Sequence, residues 1–330
     1  MVRSTVEDKA VLSGIQPTGY VQLGNLLGAV DVWVEIQSQY KRKFFFMADL
    51  HSLDGGTLGL ADASIEMACT YIACGIDPND CRIFVQSHIP QHVELCWLLG
   101  CITPMGLLNR MTQFKDKSNR EGVTPMLSLY AYPVLMVADI LLYNAEVIPV
   151  GDDQTQHVEL ARDVVLRFNQ RYGEYFRLPT ILKKKEATRI MSLTNPTKKM
   201  SKSDPSDFSR INLSDPKELI EKKILSAKTD SILGFSPEGL QDRPEASNLL
   251  NIAACLSGKK VEQLCNEVSN FSALKSMLID LLLAKLLPIQ EKRKNLERDA
   301  VKKMLADSAE AMREIARANL THIKQLMQLI

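Results

Sequence analysis

No run of about 18 uncharged apolar residues occurs in this 330-residue chain, so the sequence predicts no membrane-spanning helix. The nearest approach, LKSMLIDLLLAKLLPI, is interrupted by Lys275, Asp280 and Lys285 and reads as a buried or amphipathic helix. Neither sign of charge is in excess: 40 Lys and Arg against 39 Asp and Glu leave +1. No global field therefore calls for nucleic acid, and any such contact must come from local patches. The seven cysteines (Cys69, Cys74, Cys81, Cys96, Cys101, Cys255 and Cys265) include no CxxC pair. An odd count without that spacing argues against a disulfide framework or zinc site and for reduced structural thiols. The start, MVRSTVEDKA, has two acids and no apolar core, so it lacks the pattern of a signal peptide. Internal repeats and low-complexity tracts are missing as well. These absences leave a soluble, cytoplasmic globular protein, 45% apolar and 24% charged. Its length fits one large domain with a smaller one, or two of similar size.

What is present has a clear order. In the first half short apolar runs alternate with helical patterns. AVLSG (10–14), KFFFMAD (43–49), CRIFVQS (81–87) and AEVIPVG (145–151) read as strands. LGNLLGAVDVWVEIQSQY, ASIEMACTYIACG and DDQTQHVELARDVVLRFNQRYG read as helices, the last two closed by Gly75 and Gly173. This alternation predicts an α/β fold with a doubly wound parallel sheet, which binds ligands beyond the carboxyl ends of its strands. After residue 210 strand signals vanish. SDPKELIEKKIL opens with Asp215 as a candidate N-cap, Pro216 at the first helical position and Glu218 placed for a capping box. A last helix starting near Ser308 carries Met312, Ile315, Ala316, Leu320, Ile323, Met327 and Ile330 on one face. The resulting division is a catalytic domain over 1–210, a helical domain over 211–300 and a C-terminal helix over 301–330 that packs back on the first.

Four segments carry candidate chemistry. After the first strand, GIQPTGYVQLGNLLG supplies Gly14, Gly19, Gly24 and Gly28 and leads into a helix whose start offers N–H groups to an anion. It matches neither GxGxxG nor GxxxxGK[ST], and a glycine-rich turn without a ligand is the plain alternative. After VIPV comes GDDQTQH, where Asp152 and Asp153 either face a substrate or merely cap the helix. In YPVLMVADILLY, Asp139 interrupts an apolar segment and shares a helical face with Tyr132 and Met136. Burying that carboxylate is costly unless something hydrogen-bonds to it. It is either the acceptor of an apolar pocket for a flat ligand bearing N–H or O–H, or a core Asp paired with a helix end. Finally, TNPTKKMSKSDPSDFSR (194–210) gathers lysines and serines between helical regions; by composition alone it is a solvated loop.

Together these segments resemble the class I aminoacyl-tRNA synthetases, whose HIGH and KMSKS signatures embrace ATP from opposite sides. KMSKS is intact over Lys199, Met200, Ser201, Lys202 and Ser203. The HIGH position reads Gln22-Leu23-Gly24-Asn25, without histidine and with Asn last, a departure that is similar to the tryptophanyl members. SGIQPTG, GIDP, MTQFKDKS, YPVLMVADILLYN, IPVGDDQTQH, TKKMSKSD and SNLLNI extend the resemblance to bacterial-type tryptophanyl enzymes over nearly the whole chain.

The resemblance implies that tryptophan and ATP give tryptophanyl-adenylate and pyrophosphate, and that the aminoacyl group passes to tRNA(Trp) through the 2′-hydroxyl of its terminal adenosine. ATP is a substrate and Mg²⁺ accompanies it, with no protein side chain as metal ligand. Gln16, Pro17, Thr18, Gly24 and Asn25 match the first ATP-binding loop; Gly151, Asp152, Asp153 and Ile190 match positions lining the nucleotide. Lys199 to Ser203 form the loop over the phosphates, with Lys199, Ser201 and Lys202 as its catalytic members. Asp139 accepts the indole N–H, Tyr132 and Gln154 lie near the ammonium group, and Gly14, His51, Met136, Ile148 and Val150 line the indole pocket. A homodimer, with the helical domain reading the anticodon and with basic residues such as Lys222, Lys223 and Lys228 exposed on it, completes the expectation. A tyrosyl-tRNA synthetase, an HxGH-type nucleotidyltransferase acting without tRNA, and an inactive RNA-binding relative are the competing readings.

Overall fold

The computed structural model describes residues 6–55, 58–111, 126–151, 154–182, 189–202 and 204–330. Five strands among them, β1 (Ala10–Ile15), β2 (Arg42–Met47), β3 (Arg82–Val85), β4 (Val147–Pro149) and β5 (Thr180–Leu182), form one sheet in the order β3-β2-β1-β4-β5. Every pairing is parallel, so the fold is a doubly wound, Rossmann-like sheet. Near-continuous apolar runs are what such strands require, because both faces are covered. In β2, Phe44 and Phe46 enter one core while Phe45 and Met47 enter the other. Strand order reverses between β1 and β4. There Ser13 Oγ donates to the Pro149 carbonyl at 2.9 Å, joining the two strand ends beneath the crevice.

The helices are α1 (a continuous path through Leu23–Asn25, the π-helical Leu26–Val30 and Asp31–Ile36), α2 (Leu60–Cys74), α3 (Gln91–Gly100), α4 (Met105–Leu108), α5 (Leu127–Leu142) and α6 (Thr155–Tyr172). They are followed by α7 (Lys217–Ser226), α8 (Pro244–Ser257), α9 (Val261–Glu267), α10 (Phe271–Lys294) and α11 (Arg298–Leu326). One core joins α1, α2 and one sheet face to α7 through α10, so apolar packing runs on without a break past residues 210–211. Leu274, Leu278, Leu282 and Leu286 of α10 face this core at four-residue spacing. Lys275 and Lys285 of that helix turn outward, to the carbonyls of Leu225 and Ala227 and to Asp31. Among the described residues no helix is long and apolar enough to cross a membrane.

Several expected boundaries shift. β5 has no counterpart in the sequence pattern: three residues at a sheet edge, none fully buried, leave no apolar run to read. α11 begins at Arg298 rather than near Ser308, since Val301 and Leu305 extend its buried stripe. Its outer residues differ too, with Ile315 and Ile330 exposed. Asp215 does not cap α7. Its carboxylate is engaged by the Asn212 N–H and Lys223, and Pro216 takes the cap position without a side-chain bond. Lys223, expected on the surface, is wholly buried, whereas Lys222 and Lys228 are exposed.

Candidate active site

The carboxyl ends of β1, β2, β3 and β4 open on two adjoining groups of side chains. The first surrounds Asp139, which is only 2% exposed on α5. His51 Nε2 lies 2.9 Å from its Oδ2, while Gln86 Nε2 donates to Oδ1 at 2.7 Å and His92 Nδ1 lies 2.7 Å from the same oxygen. Burial alone would raise this carboxyl group's pKa; the hydrogen bonds from His51 and His92 outweigh it and hold the group below the ordinary carboxylate value. The Gln86 amide is oriented by the Leu50 N–H, which donates to its Oε1 at 3.2 Å. The Tyr143 hydroxyl is 2.8 Å from His92 Nε2. A carboxylate offers about four acceptor sites, and the hydrogen bonds here use one on Oδ1, from Gln86, and one on Oδ2, from His51. Among the described residues an acceptor site is left on Oδ2.

Tyr132, two turns before Asp139, stands edge-on to His51 with ring centres 6.4 Å apart. Its hydroxyl meets His157 Nε2 at 3.1 Å. Ile148 is buried and Val150 half-buried against the core on the α5 side, and Met136 is half-buried on α5. Gly14 is exposed at the end of β1, and a Cβ there would stand 2.6 Å from the Phe46 ring, so only glycine fits.

The second group joins the two loop signatures. Residues 190–200 fold back on themselves: Met200 N–H donates to the Ile190 carbonyl at 3.0 Å and Ser192 N–H to the Lys198 carbonyl at 2.8 Å. The Asn248 amide of α8 holds this hairpin, accepting from Met191 N–H at 2.9 Å and donating to the Met191 carbonyl at 3.0 Å. Gln22 reaches across from the first loop and donates to the Met200 carbonyl at 3.3 Å. Gly19, with φ of +60°, faces the Lys202 stem, whose Cδ lies 4.0 Å from where a Cβ would be. The Lys202 ammonium is buried with no hydrogen-bond partner among the described residues. Burial lowers its pKa to about 8. Lys199 is exposed at the bridge to Met191, Met200 is buried and Ser201 half-buried. The two lysines therefore sit in opposite surroundings.

The first loop corrects one expectation. The N–H groups opening α1 are not free for an anion: Leu23 N–H donates to the Ile211 carbonyl, Gly24 N–H to Gln22 Oε1 at 2.5 Å and Asn25 N–H to the Gln22 carbonyl. Gln22 thus caps the helix and tethers the second loop at once. Gln16 donates to the His51 carbonyl at 2.9 Å and so links the nucleotide loop to the Asp139 group. Pro17 is buried, Thr18 and Gln154 half-buried and Gly151 exposed. Asp152, Asp153 and Ser203, together with most of MTQFKDKS, lie outside the described residues.

Gln86, His92, Tyr143 and Asn248 do not stand out in the sequence pattern as site residues. Gln86 had a legible signal, directly following the apolar run of β3 where ligands approach such a sheet. His92 and Tyr143 had none, since their meeting with Asp139 is tertiary.

Comparison with known proteins identifies the family. The family described as tRNA synthetases class I (W and Y) matches residues 5–278. A tryptophan–tRNA ligase of Rickettsia bellii is 45% identical over 322 residues, covering 96% of this chain and 98% of that protein. The crystal structure of tryptophanyl-tRNA synthetase from Mycoplasma pneumoniae superposes with a TM-score of 0.88 at 34% identity, covering 97% of this chain and 98% of that one. That of the Campylobacter jejuni synthetase complexed with ADP and tryptophan superposes at 0.80 with 32% identity, covering 97% and 99%.

Proposed function

The chain belongs to the class I tRNA synthetases (W and Y), and from that premise we infer that it is a tryptophan–tRNA ligase. It activates L-tryptophan with ATP and transfers it to tRNA(Trp). The observation that carries the chemistry is the ammonium of Lys202 beside Gly19, buried and with no hydrogen-bond partner among the described residues. An isolated buried cation is costly unless an anion comes to it. The anion is the polyphosphate of ATP. Tryptophan's carboxylate oxygen attacks the α-phosphorus, and the bond to the bridging oxygen of pyrophosphate breaks. In the second step a ribose hydroxyl of tRNA attacks the activated carbonyl and AMP leaves. The attacking carboxylate is already ionised, so the first step needs no side-chain base. It needs positioning and a positive field where phosphate charge builds up.

In this reading Lys202 meets the leaving pyrophosphate, while Lys199 and Ser201 close over it from the same loop. Gln16, Pro17, Thr18, Gly24 and Asn25 shape the near wall, and Gly151, Asp152, Asp153, Ile190, Met200 and Ser203 complete the nucleotide site. The open acceptor site on Asp139 Oδ2 receives the indole N–H. His51, Gly14, Met136, Ile148 and Val150 surround the ring, and Tyr132 and Gln154 receive the ammonium group. Mg²⁺ arrives as counter-ion to ATP. Residues 211–300 take the anticodon side of tRNA, and the reaction runs in the cytoplasm. A homodimer is part of the reading, supported by Val93 and Trp97, 55% and 75% exposed at i and i+4 on α3, an apolar face for a second copy. The test is ATP–pyrophosphate exchange with each of the twenty amino acids. Stimulation by tryptophan alone supports the assignment, and stimulation by tyrosine or by none overturns it.

A further inference from the structure

Lys223 takes no part in the chemistry above, yet its side chain is wholly buried and its Nζ lies 2.6 Å from Asp215 and 2.7 Å from Asp207. Both carboxylates belong to the segment that follows KMSKS, and both also hold Asn212. Asp215 accepts from the Asn212 N–H at 2.9 Å and from its Nδ2 at 3.1 Å, and Asp207 accepts from that Nδ2 at 3.0 Å. Arg210 closes the segment, lying 3.1 Å from Asp207 and donating to the Asp204 carbonyl at 3.0 Å.

The same segment grips both ATP signatures through its backbone. Toward the first, Leu23 N–H donates to the Ile211 carbonyl at 2.8 Å and Leu213 N–H to the Val21 carbonyl at 3.0 Å, so Gln22 lies bridged to Asn212. Toward the second, Leu193 N–H donates to the Ser209 carbonyl at 2.9 Å. Residues 204–215 are therefore the piece of chain that sets Val21–Leu23 against the hairpin leading to Lys199. One buried ammonium fastens that piece at both ends, through Asp207 and Asp215.

We propose that Lys223 is a positioning residue for ATP: through Asp207, Asn212 and Asp215 it fixes the spacing of the two nucleotide signatures without touching the nucleotide. The Asp207 carboxyl, held below its ordinary range chiefly by the hydrogen bond from Lys223, is consistent with that coupling. The inference rests on the reading of the two loops as the ATP site. Replacing Lys223 with Met keeps an unbranched stem of nearly the same length but removes the ammonium and frees the segment, so both signatures lose their common reference. A misplacement on the ångström scale is enough to cost an enzyme of this kind up to about 10²-fold.

The experiment uses the full chain and measures ATP affinity directly, with a fluorescent ATP analogue, beside tryptophan affinity and the thermal midpoint. Lys223→Met weakens ATP binding about tenfold or more and leaves tryptophan binding without ATP unchanged. It also lowers the midpoint, because the buried carboxylate of Asp215 loses its counter-charge. The double variant Lys223→Met/Asp215→Asn removes that buried charge and recovers part of the midpoint while ATP binding stays weak. ATP affinity that is unchanged in the folded single variant, or that returns with the midpoint in the double variant, reduces Lys223 to a fold stabiliser and overturns the proposal. A wild-type chain that binds ATP but shows no tryptophan-dependent exchange overturns the functional assignment instead.

Discussion

At the scale of single residues, Lys202 and Asp139 are two charges buried for opposite reasons. Lys202 has no protein counter-charge among the described residues, and its pKa of about 8 records the cost of that isolation. Replacing it by alanine slows tryptophan activation by about 10²- to 10³-fold, the usual effect of losing one charge donor to a transition state. Tryptophan affinity measured without ATP stays the same. The depressed pKa also has a sign. The ligand-free fold disfavours the protonated amine, so this cost is present in full below pH 8 and is relieved as pH rises toward the unfolded value near 10.5. Phosphate reverses the preference. ATP binding at pH 8 therefore takes up roughly half a proton, and ATP affinity falls as pH is raised above 8. Calorimetry in two buffers of different ionisation enthalpy measures the uptake, and Lys202→Arg, always charged, abolishes it.

Asp139 is the reverse case, a carboxylate surrounded by donors. If it accepts the indole N–H as proposed, its replacement by alanine costs tryptophan about 3 kcal/mol or more in kcat/KM. Phenylalanine, which has no such donor, loses far less, so discrimination narrows when both are assayed. Equal losses would reduce Asp139 to a structural role. Gln86 and His51 are also left without their acceptor, so the midpoint falls as well. The carboxylate itself was legible in the sequence because it broke an apolar helix. Its partners were not, because Gln86 and His92 are 53 and 47 positions away in the chain and only the sheet brings them near.

At the scale of elements, periodicity carried most of the reading. Strands β1 to β4, α2 and α6 announced themselves by apolar period and by glycines at their ends, Gly75 and Gly173, both at positive φ. β5 and the capping of α7 escaped for one physical reason. Short edges and polar side chains have several partners open to them, and tertiary contacts decide which one is taken. The hairpin at 190–200 is a further case. From composition it is a charged loop, but Asn248 of α8 clamps Met191 on both its donor and its acceptor. Asn248→Ala leaves a buried N–H unpaired and costs about 1–3 kcal/mol of stability. Denaturant titration reads this loss, and KM for ATP rises because the hairpin carries the second signature.

At the scale of the whole molecule, the catalytic and helical halves are joined by a continuous core and by ion pairs at one corner. Glu66 of α2 meets Arg293 of α10 and Arg298 of α11, and Arg298 also meets Asp62. These groups are largely solvated, so Glu66→Gln changes stability by less than about 1 kcal/mol, against the several lost on opening the core. The tRNA surface is tested at Lys222 and Lys228, not at Lys223. Alanine at either of the exposed pair weakens charging and, on a duplex, lowers the salt slope by about 0.9 for every phosphate no longer neutralised. Pyrophosphate exchange remains intact. A loss of both activities together would mark this face as structural.

Helix α11 has a bearing on how the molecule is made. Val301 and Leu305 enter the core shared with the helical half, while Met312, Ala316, Leu320 and Ile323 enter the core on the other side of the sheet, beside Phe84 and Leu95. It lies against the edge strand β3 and so serves both sheet faces at once. On a ribosome adding 5–20 residues each second, roughly 10–50 s separate the emergence of β3 from that of this helix. During that interval a strand edge and its apolar flank stand uncovered on the nascent chain. The sheet reaches its native burial only after translation has passed Ile323.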